Sequence, residues 1–190
     1  SRGKGQMVIA SAAYISGQRI FDSYYNKIHD YTSKSGVVFT EILTPEYVPE
    51  RLTDRETLWN EVEHVERNNK AQLAYSFDIA LQNELTLEEN IRLAKEFCQE
   101  QFVARGMIVD LAIHEGKSDN EEEPDNPHFH VLVPIRPFTE EGIWGNKQRR
   151  EYILDEDGNR VKDAKGKEMF NAVSTTGWND PELLKEWRRA

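Results

Sequence analysis

Two short apolar runs, each with histidine at one end, constrain this chain more than any other feature. Pro127-His128-Phe129-His130-Val131-Leu132-Val133 has the alternation of a β-strand. His128 and His130 therefore share one face, while Phe129 and Val131 fill the other. About fourteen residues upstream, Met107-Ile108-Val109-Asp110-Leu111-Ala112-Ile113-His114 forms a second strand-like run. Paired as an antiparallel hairpin, the two runs set His114 opposite His128 and bring three imidazoles to one point. Neutral imidazole is a common metal ligand, and three protein ligands leave positions open for substrate. A His-X-His pair alone is ordinarily just the polar face of a strand. The third histidine at the hairpin-compatible position is what points to a metal. The other two, His29 and His64, lie in polar contexts and read as solvated.

The rest of the chain can be laid out around this hairpin. Residues 6–17 read as a short helix stopped by Gly17, with Ala10, Ser11, Ala12 and Ala13 small enough to pack on a sheet. Tyr14 is its one large polar-tipped residue, and the ordinary reading is a half-buried tyrosine bonding through its hydroxyl. The next stretch, to Ser35, is polar and tyrosine-rich, with Tyr24, Tyr25 and Tyr31. Residues 37–43 are a strand candidate. Thr53-Asp54-Arg55-Glu56 opens a long helix with Leu58, Trp59, Val62 and Val65 as its apolar stripe and Glu61, Glu63, Glu66 and Arg67 as its wet face. Residues 74–81 alternate as a strand, with Phe77, Ile79 and Leu81 on one side. Asp78 is unusual in mid-strand, since aspartate is depleted there. It is either an edge charge or, as we favour, a carboxylate facing the histidines. Thr86-Leu87-Glu88-Glu89 opens another capped helix, ended by Gly106. Tyr152 to Val161 reads as a hairpin around Asp157-Gly158, and a last helix follows Asn179-Asp180-Pro181.

The expected fold class is α/β in content (α+β): a mostly antiparallel central sheet flanked by helices. With 190 residues, the chain suits one domain. The final helix stops with its apolar face barely begun, so a piece of a longer protein is expected. No apolar run reaches the ~20 residues of a membrane-spanning helix, no signal-peptide pattern opens the chain, and no membrane insertion is expected. One cysteine, Cys98, sits in a helical pattern as a core thiol, which excludes an internal disulfide and suits a reducing, cytoplasmic setting. A net charge of −10 argues against general nucleic-acid binding, which runs on Lys and Arg. A local site stays open, because acid gathers in the loop at residues 119–125 while base gathers at Arg2 and Lys4 and at Lys147, Arg149 and Arg150. Trp144 stands beside the latter run. Such runs are ordinarily only solvated surface.

Several stretches, taken in order, resemble one family. Asn126-Pro127-His128-Phe129-His130 with His114 upstream is similar to the metal motif of the MobA/MobL plasmid mobilisation proteins, relaxases of the HUH endonuclease class. Arg2-Gly3-Lys4-Gly5-Gln6 and Ala12-Ala13-Tyr14-Ile15-Ser16-Gly17 resemble its N-terminal motif, in which the tyrosine is the nucleophile. Residues 59–63, 79–85, 154–158 and 186–188 also follow its pattern. There are departures. The family's short strand before the Arg-Gly segment is not found here. Where the family often has Glu and Pro, this chain has Ser76 and Gln82, which leaves Asp78 as the candidate supporting carboxylate.

The resemblance implies an HUH relaxase-like fold over residues 1–190 and a cytoplasmic enzyme. That enzyme nicks one strand of plasmid transfer-origin DNA, beside a hairpin, through a 5′-phosphotyrosyl intermediate on Tyr14, and rejoins it. It implies a divalent metal ion on His114, His128 and His130, with Mn2+ or Mg2+ foremost and Zn2+ as the alternative. Asp78 supports the chemistry. Trp144 with Lys147, Arg149 and Arg150, and Arg2 with Lys4, are the candidate contacts to the single strand through stacking and phosphate pairing. Accessory relaxosome and coupling proteins are expected partners. Tyr24, Tyr25 and Tyr31 are fallback nucleophiles. Two other readings of the same residues remain: a tri-histidine zinc hydrolase of a small substrate, and a non-catalytic DNA-binding module stabilised by metal.

Overall fold

The computed structural model describes residues 7–117 and 125–190. The chain divides into two compact units, 1–144 and 145–190. In the first, the order is α1 (Val8–Ser16), β1 (Arg19–Asp22), β2 (Lys27–Asp30), β3 (Val37–Leu43), α2 (Arg55–Val65), β4 (Ala74–Ala80), α3 (Leu87–Gln101), β5 (Val109–His114) and β6 (His128–Pro134). Strands β3, β5, β6 and β4 form one antiparallel sheet in that order, as expected for the fold class. Among the described residues, no helix is long and apolar enough to cross a membrane.

The sheet is covered on both faces, and the period of two decides what each cover meets. On β5, Asp110, Ala112 and His114 point towards α1 and α2, and Val109, Leu111 and Ile113 point the other way. Ala112, Leu132 and Ile42 join Ile9, Ala12 and Ala13 of α1 and Leu58, Trp59 and Val62 of α2 in one core. On the opposite face, Phe97 of α3 packs edge-on to Phe129, with centroids 6.0 Å apart. Phe77 lies against Phe102, just past the helix, at 5.3 Å. Every residue of β5 is consequently buried.

Local chemistry sets the helix ends. Asp54 caps α2 by accepting from the Thr57 N–H, and Thr86 with Glu89 closes a capping box on α3. Gly17 ends α1 at φ 62°, and the Gln18 N–H reaches the Ala13 carbonyl at 3.1 Å. A Cβ at Gly17 would also meet Val37 Cγ2 at 3.2 Å. Cys98 is buried, as expected, and burial pushes its thiol up to about 12.

Three sequence expectations need correction. The polar stretch after α1 holds the β1–β2 hairpin, with Phe21 opposite Ile28. Its inward face carries Ile20, Asp22 and His29, so His29 is buried beside Asp22 (3.4 Å) instead of solvated. Glu63 and Glu66, assigned to the wet face of α2, are also buried, and Glu66 accepts from Arg136 at 2.6 Å. The elements packed around α2 bury more of its circumference than its apolar stripe indicates.

The second unit contains β7 (Gln148–Tyr152), β8 (Phe170–Ser174) and α4 (Pro181–Trp187). The expected hairpin at Asp157-Gly158 is only one of two turns carried by a longer ribbon. Asp155 and Asp163 each accept two backbone N–H groups within their turns, closed by Gly158 and Gly166 at φ 82° and 77°. Single bridges pair Leu154 with Arg160 and Lys162 with Glu168, while the ladder proper joins β7 to β8.

Candidate functional site

The register of β5 and β6 sets His114 directly opposite His128, and His130 follows on the same face two residues along β6. The three rings lie with centroids 4.5–5.3 Å apart. One nitrogen from each falls within 4.8 Å of the others.

Each ring is held by a partner that can only accept. His114 Nε2 donates to the Ile15 carbonyl at 2.6 Å, His128 Nδ1 to the Asn126 carbonyl at 2.7 Å, and His130 Nδ1 to Asp78 Oδ1 at 2.5 Å. A neutral imidazole has one N–H, so these bonds fix the tautomers. The remaining lone pairs belong to His114 Nδ1, His128 Nε2 and His130 Nε2. Asp78 reaches His130 because β4 pairs with β6 with Asp78 directly opposite it. Burial holds the His114 pKa down to about 4, with the nearby Lys34 and the other two histidines adding to it against the Ile15 bond. His114 is therefore uncharged near neutral pH, as a ligand must be. Three imidazoles oriented in this way fit a divalent cation with coordination positions left over.

Tyr14 comes to this cluster through its neighbour. The Ile15 carbonyl that orients His114 is the next residue on α1, so the C-terminal turn of the helix is pinned to the imidazoles. Tyr14 remains 49% exposed. It lines a groove of about 460 Å³ together with Tyr31, Ser76, Asp78 and His130. Tyr31 meets the Tyr14 ring edge-on at 5.4 Å. Tyr24 and Tyr25 instead pack on each other at the β1–β2 turn, beside His64.

One residue at the site had no signature in the sequence. Lys34, in the link between β2 and β3, sets its ammonium 4.0 Å from the Tyr14 ring centroid and 3.4 Å from His114 Nδ1. Burial lowers its pKa below the usual lysine value. A lysine among threonine, serine and glycine offers no spacing that would single it out. Only the return of the chain from β2 into β3 carries it to the site.

The residues assigned to DNA contact are distributed differently. Arg2 and Lys4 lie outside the described residues. Trp144 belongs to the first unit, where its ring is half-buried against Phe138 (5.2 Å) and its indole N–H donates to Glu61 at 3.0 Å. Lys147, Arg149 and Arg150 belong to the second. Arg149 pairs with Glu151 at 2.7 Å on the exposed ribbon, and the Arg150 guanidinium sits 4.6 Å from the Phe170 centroid. Arg160 stacks at 3.7 Å on Tyr152, so the ribbon carries two arginine–aromatic pairs.

Comparison with known proteins adds to this geometry. The chain is 34% identical over 191 residues to the conjugal transfer protein TraA of Agrobacterium fabrum, covering 94% of this chain and 16% of that protein. It is 34% identical over 163 residues to the probable mobilization protein MobA of Bifidobacterium longum, covering 85% of this chain and 28% of that one. With the mobilization protein MobL of Acidithiobacillus ferridurans it shares 31% over 146 residues, 76% of this chain and 38% of the relative. The chain thus spans well under half the length of these relatives. A solved structure described as "Molecular Basis of Vancomycin Resistance Transfer in Staphylococcus aureus" superposes with a TM-score of 0.77 at 34% identity, covering 99% of this chain and 82% of that one. The MobA/MobL family profile matches residues 6–190, and this chain belongs to the MobA/MobL family.

Proposed function

We propose that this chain is the strand-nicking unit of a mobilisation relaxase. The observation that carries the reading is the Ile15–His114 bond, which ties the helix bearing Tyr14 to the imidazole cluster and leaves the phenol in the groove that His130 and Asp78 share. In this reading the Tyr14 oxygen attacks the phosphorus of one phosphodiester. The P–O3′ bond breaks, leaving a 5′-phosphotyrosyl bond and a free 3′-hydroxyl. Attack by that hydroxyl reverses the step and restores the strand without an external energy source.

A phenol is a weak nucleophile while protonated, with an ordinary pKa near ~10. Asp78, the carboxylate of the groove, orients His130 through one oxygen. We assign its other oxygen to take the phenol proton and return it to the departing 3′-oxygen. His114 Nδ1, His128 Nε2 and His130 Nε2 would hold the divalent ion. When bound, that ion supplies charge compensation for the phosphate oxygens. An all-imidazole donor set favours Mn2+ or Zn2+ over Mg2+, which prefers oxygen ligands. The strand itself is single, so its bases are open to stacking. Lys147, Arg149 and Arg150 are proposed as contacts to single-stranded DNA in their own right, as are Trp144, Arg2 and Lys4.

The test is cleavage of labelled single strands tiled across the transfer origin of the element that carries the gene, read on a denaturing gel. A covalent protein–DNA adduct is expected, lost in Tyr14→Phe and in His130→Ala and suppressed by chelation. An adduct that persists in Tyr14→Phe moves the nucleophile elsewhere, and cleavage indifferent to chelation removes the metal from the reaction. Hydrolysis of small esters unaffected by Tyr14→Phe, with no DNA adduct, would replace this reading by a metallohydrolase.

A further inference from the structure

A cation, Lys34, stands against two residues of the site, Tyr14 and His114. Lys34 is fixed by its own backbone: its N–H bonds the Tyr31 carbonyl at 2.9 Å, and the Glu115 N–H holds the Gly36 carbonyl at 3.0 Å. Its stem therefore ends between α1 and β5. There the ammonium lies over the Tyr14 ring and donates to His114 Nδ1, 3.4 Å away. Among the described residues, no carboxylate lies within ion-pair distance of it. A partly desolvated ammonium whose neighbours are a ring face and a neutral nitrogen is under-compensated. An anionic oxygen entering the groove would be its natural partner.

The nitrogen Lys34 occupies is the one lone pair His114 has left, because Nε2 is committed to Ile15. Lys34 and a metal ion cannot both use it, and two cations so close repel. We propose that Lys34 is a phosphate-binding residue that rests on His114 Nδ1 in the DNA-free protein and transfers to a backbone phosphate oxygen when a strand enters, so that strand binding and metal binding favour each other through it. The proposal rests on the reading of the groove as a nicking site, but it concerns binding alone. The coupling is reciprocal by thermodynamic necessity: whatever factor DNA adds to metal affinity, metal adds to DNA affinity. If Lys34 merely packs on Tyr14, replacing it leaves that factor unchanged.

The experiment is calorimetric titration of Mn2+ into the metal-free chain, with and without saturating oligothymidylate. The wild type, Lys34→Met and Lys34→Arg are compared, with thermal melts to check folding. Lys34→Met keeps the stem and loses the charge. In the wild type, oligothymidylate is expected to tighten Mn2+ binding by about tenfold, in the ordinary range of coupling. In Lys34→Met, Mn2+ is expected to bind several-fold more tightly than in the wild type without DNA, and the oligothymidylate effect is expected to shrink to the part that direct attraction between ion and phosphate supplies. Lys34→Arg retains the charge and is expected to keep most of the coupling. Equal Mn2+ affinities in wild type and Lys34→Met, an undiminished oligothymidylate effect in Lys34→Met, or Lys34→Arg behaving as Lys34→Met would each overturn the proposal. Wild-type protein that couples Mn2+ to DNA but never forms an adduct would overturn the relaxase reading and leave the role of Lys34 standing. Wild-type protein that binds no Mn2+ overturns both.

Discussion

The β5–β6 hairpin and the β7–β8 ribbon are both antiparallel ladders carrying candidate functional side chains, but their surroundings differ completely. β5 has a strand on each edge and a helical layer on each face, and all six of its residues are buried. β7 has one partner strand, and four of its five residues are exposed. On the hairpin, each histidine has a single committed donor and a single remaining lone pair, that of His114 facing Lys34. On the ribbon, Arg149 and Arg150 rest against Glu151 and Phe170 in contacts that solvent can replace. A metal centre needs fixed lone pairs, whereas a surface that follows a DNA backbone needs charge and latitude. The two ladders suit these two demands.

That contrast can be broken most severely at Asp110, the buried anchor of β5. It accepts from Arg55 at 2.8–3.0 Å and from the Trp59 indole at 2.8 Å, joining α2 to the strand that ends in His114. Asp110→Ala leaves a buried guanidinium unpaired and is expected to cost about 3–5 kcal/mol, read as a shift in the urea midpoint. A loss below about 1 kcal/mol would mean β5 is less fixed than its burial implies.

Acid should reach the hairpin next. The His114 pKa is held at about 4 in the folded chain, against ~6.5 unfolded, so the unfolded state takes the proton first. The stability this histidine contributes is full above about pH 6.5 and is lost as pH falls towards 4, with a slope of at most about 1.4 kcal/mol per pH unit. Nitrogen-detected NMR of the metal-free protein should find the His114 ring neutral at pH 5. A charged ring there would contradict its burial.

A smaller effect is expected at the rim of the site. Asp78→Asn preserves the shape that holds His130 but removes the carboxylate that accepts from its Nδ1. Mn2+ affinity should fall by about tenfold, with little change in melting temperature. The smallest change belongs to the ribbon. Arg150→Ala gives up a contact with Phe170 of about 0.5–1 kcal/mol. It should leave Mn2+ binding intact, weaken oligonucleotide binding by only a few-fold and flatten its salt dependence. A loss of Mn2+ affinity on changing Arg150 would erase the division between the two ladders.

How far the sequence carried the description can be seen from particular residues. Alternation along 107–114 and 128–133 was enough to pair the strands and put three histidines on one face, because side-chain parity is a local property of extended backbone. The caps at Gly17, Asp54 and Thr86 were legible for the same reason. Asp78 stood out as a charge in mid-strand, although only the pairing of β4 with β6 set it opposite His130. His29, Glu63 and Glu66 were read as solvated because their neighbours in sequence are polar, and the elements that bury them come from elsewhere in the chain. The β1–β2 hairpin was missed because four-residue strands leave too little periodicity to read.

The sequence by itself thus determined the hairpin, its register and the identity of the three imidazoles, since each depends on spacing within a few residues. Only the tertiary structure decided which ring nitrogen each histidine keeps free, that α1 leans its Ile15 carbonyl on His114, and that Lys34 ends beside Tyr14. Those arrangements join residues as far as 99 positions apart. Contacts over such distances are set by how helices and strands pack, and packing leaves no periodic trace in the sequence.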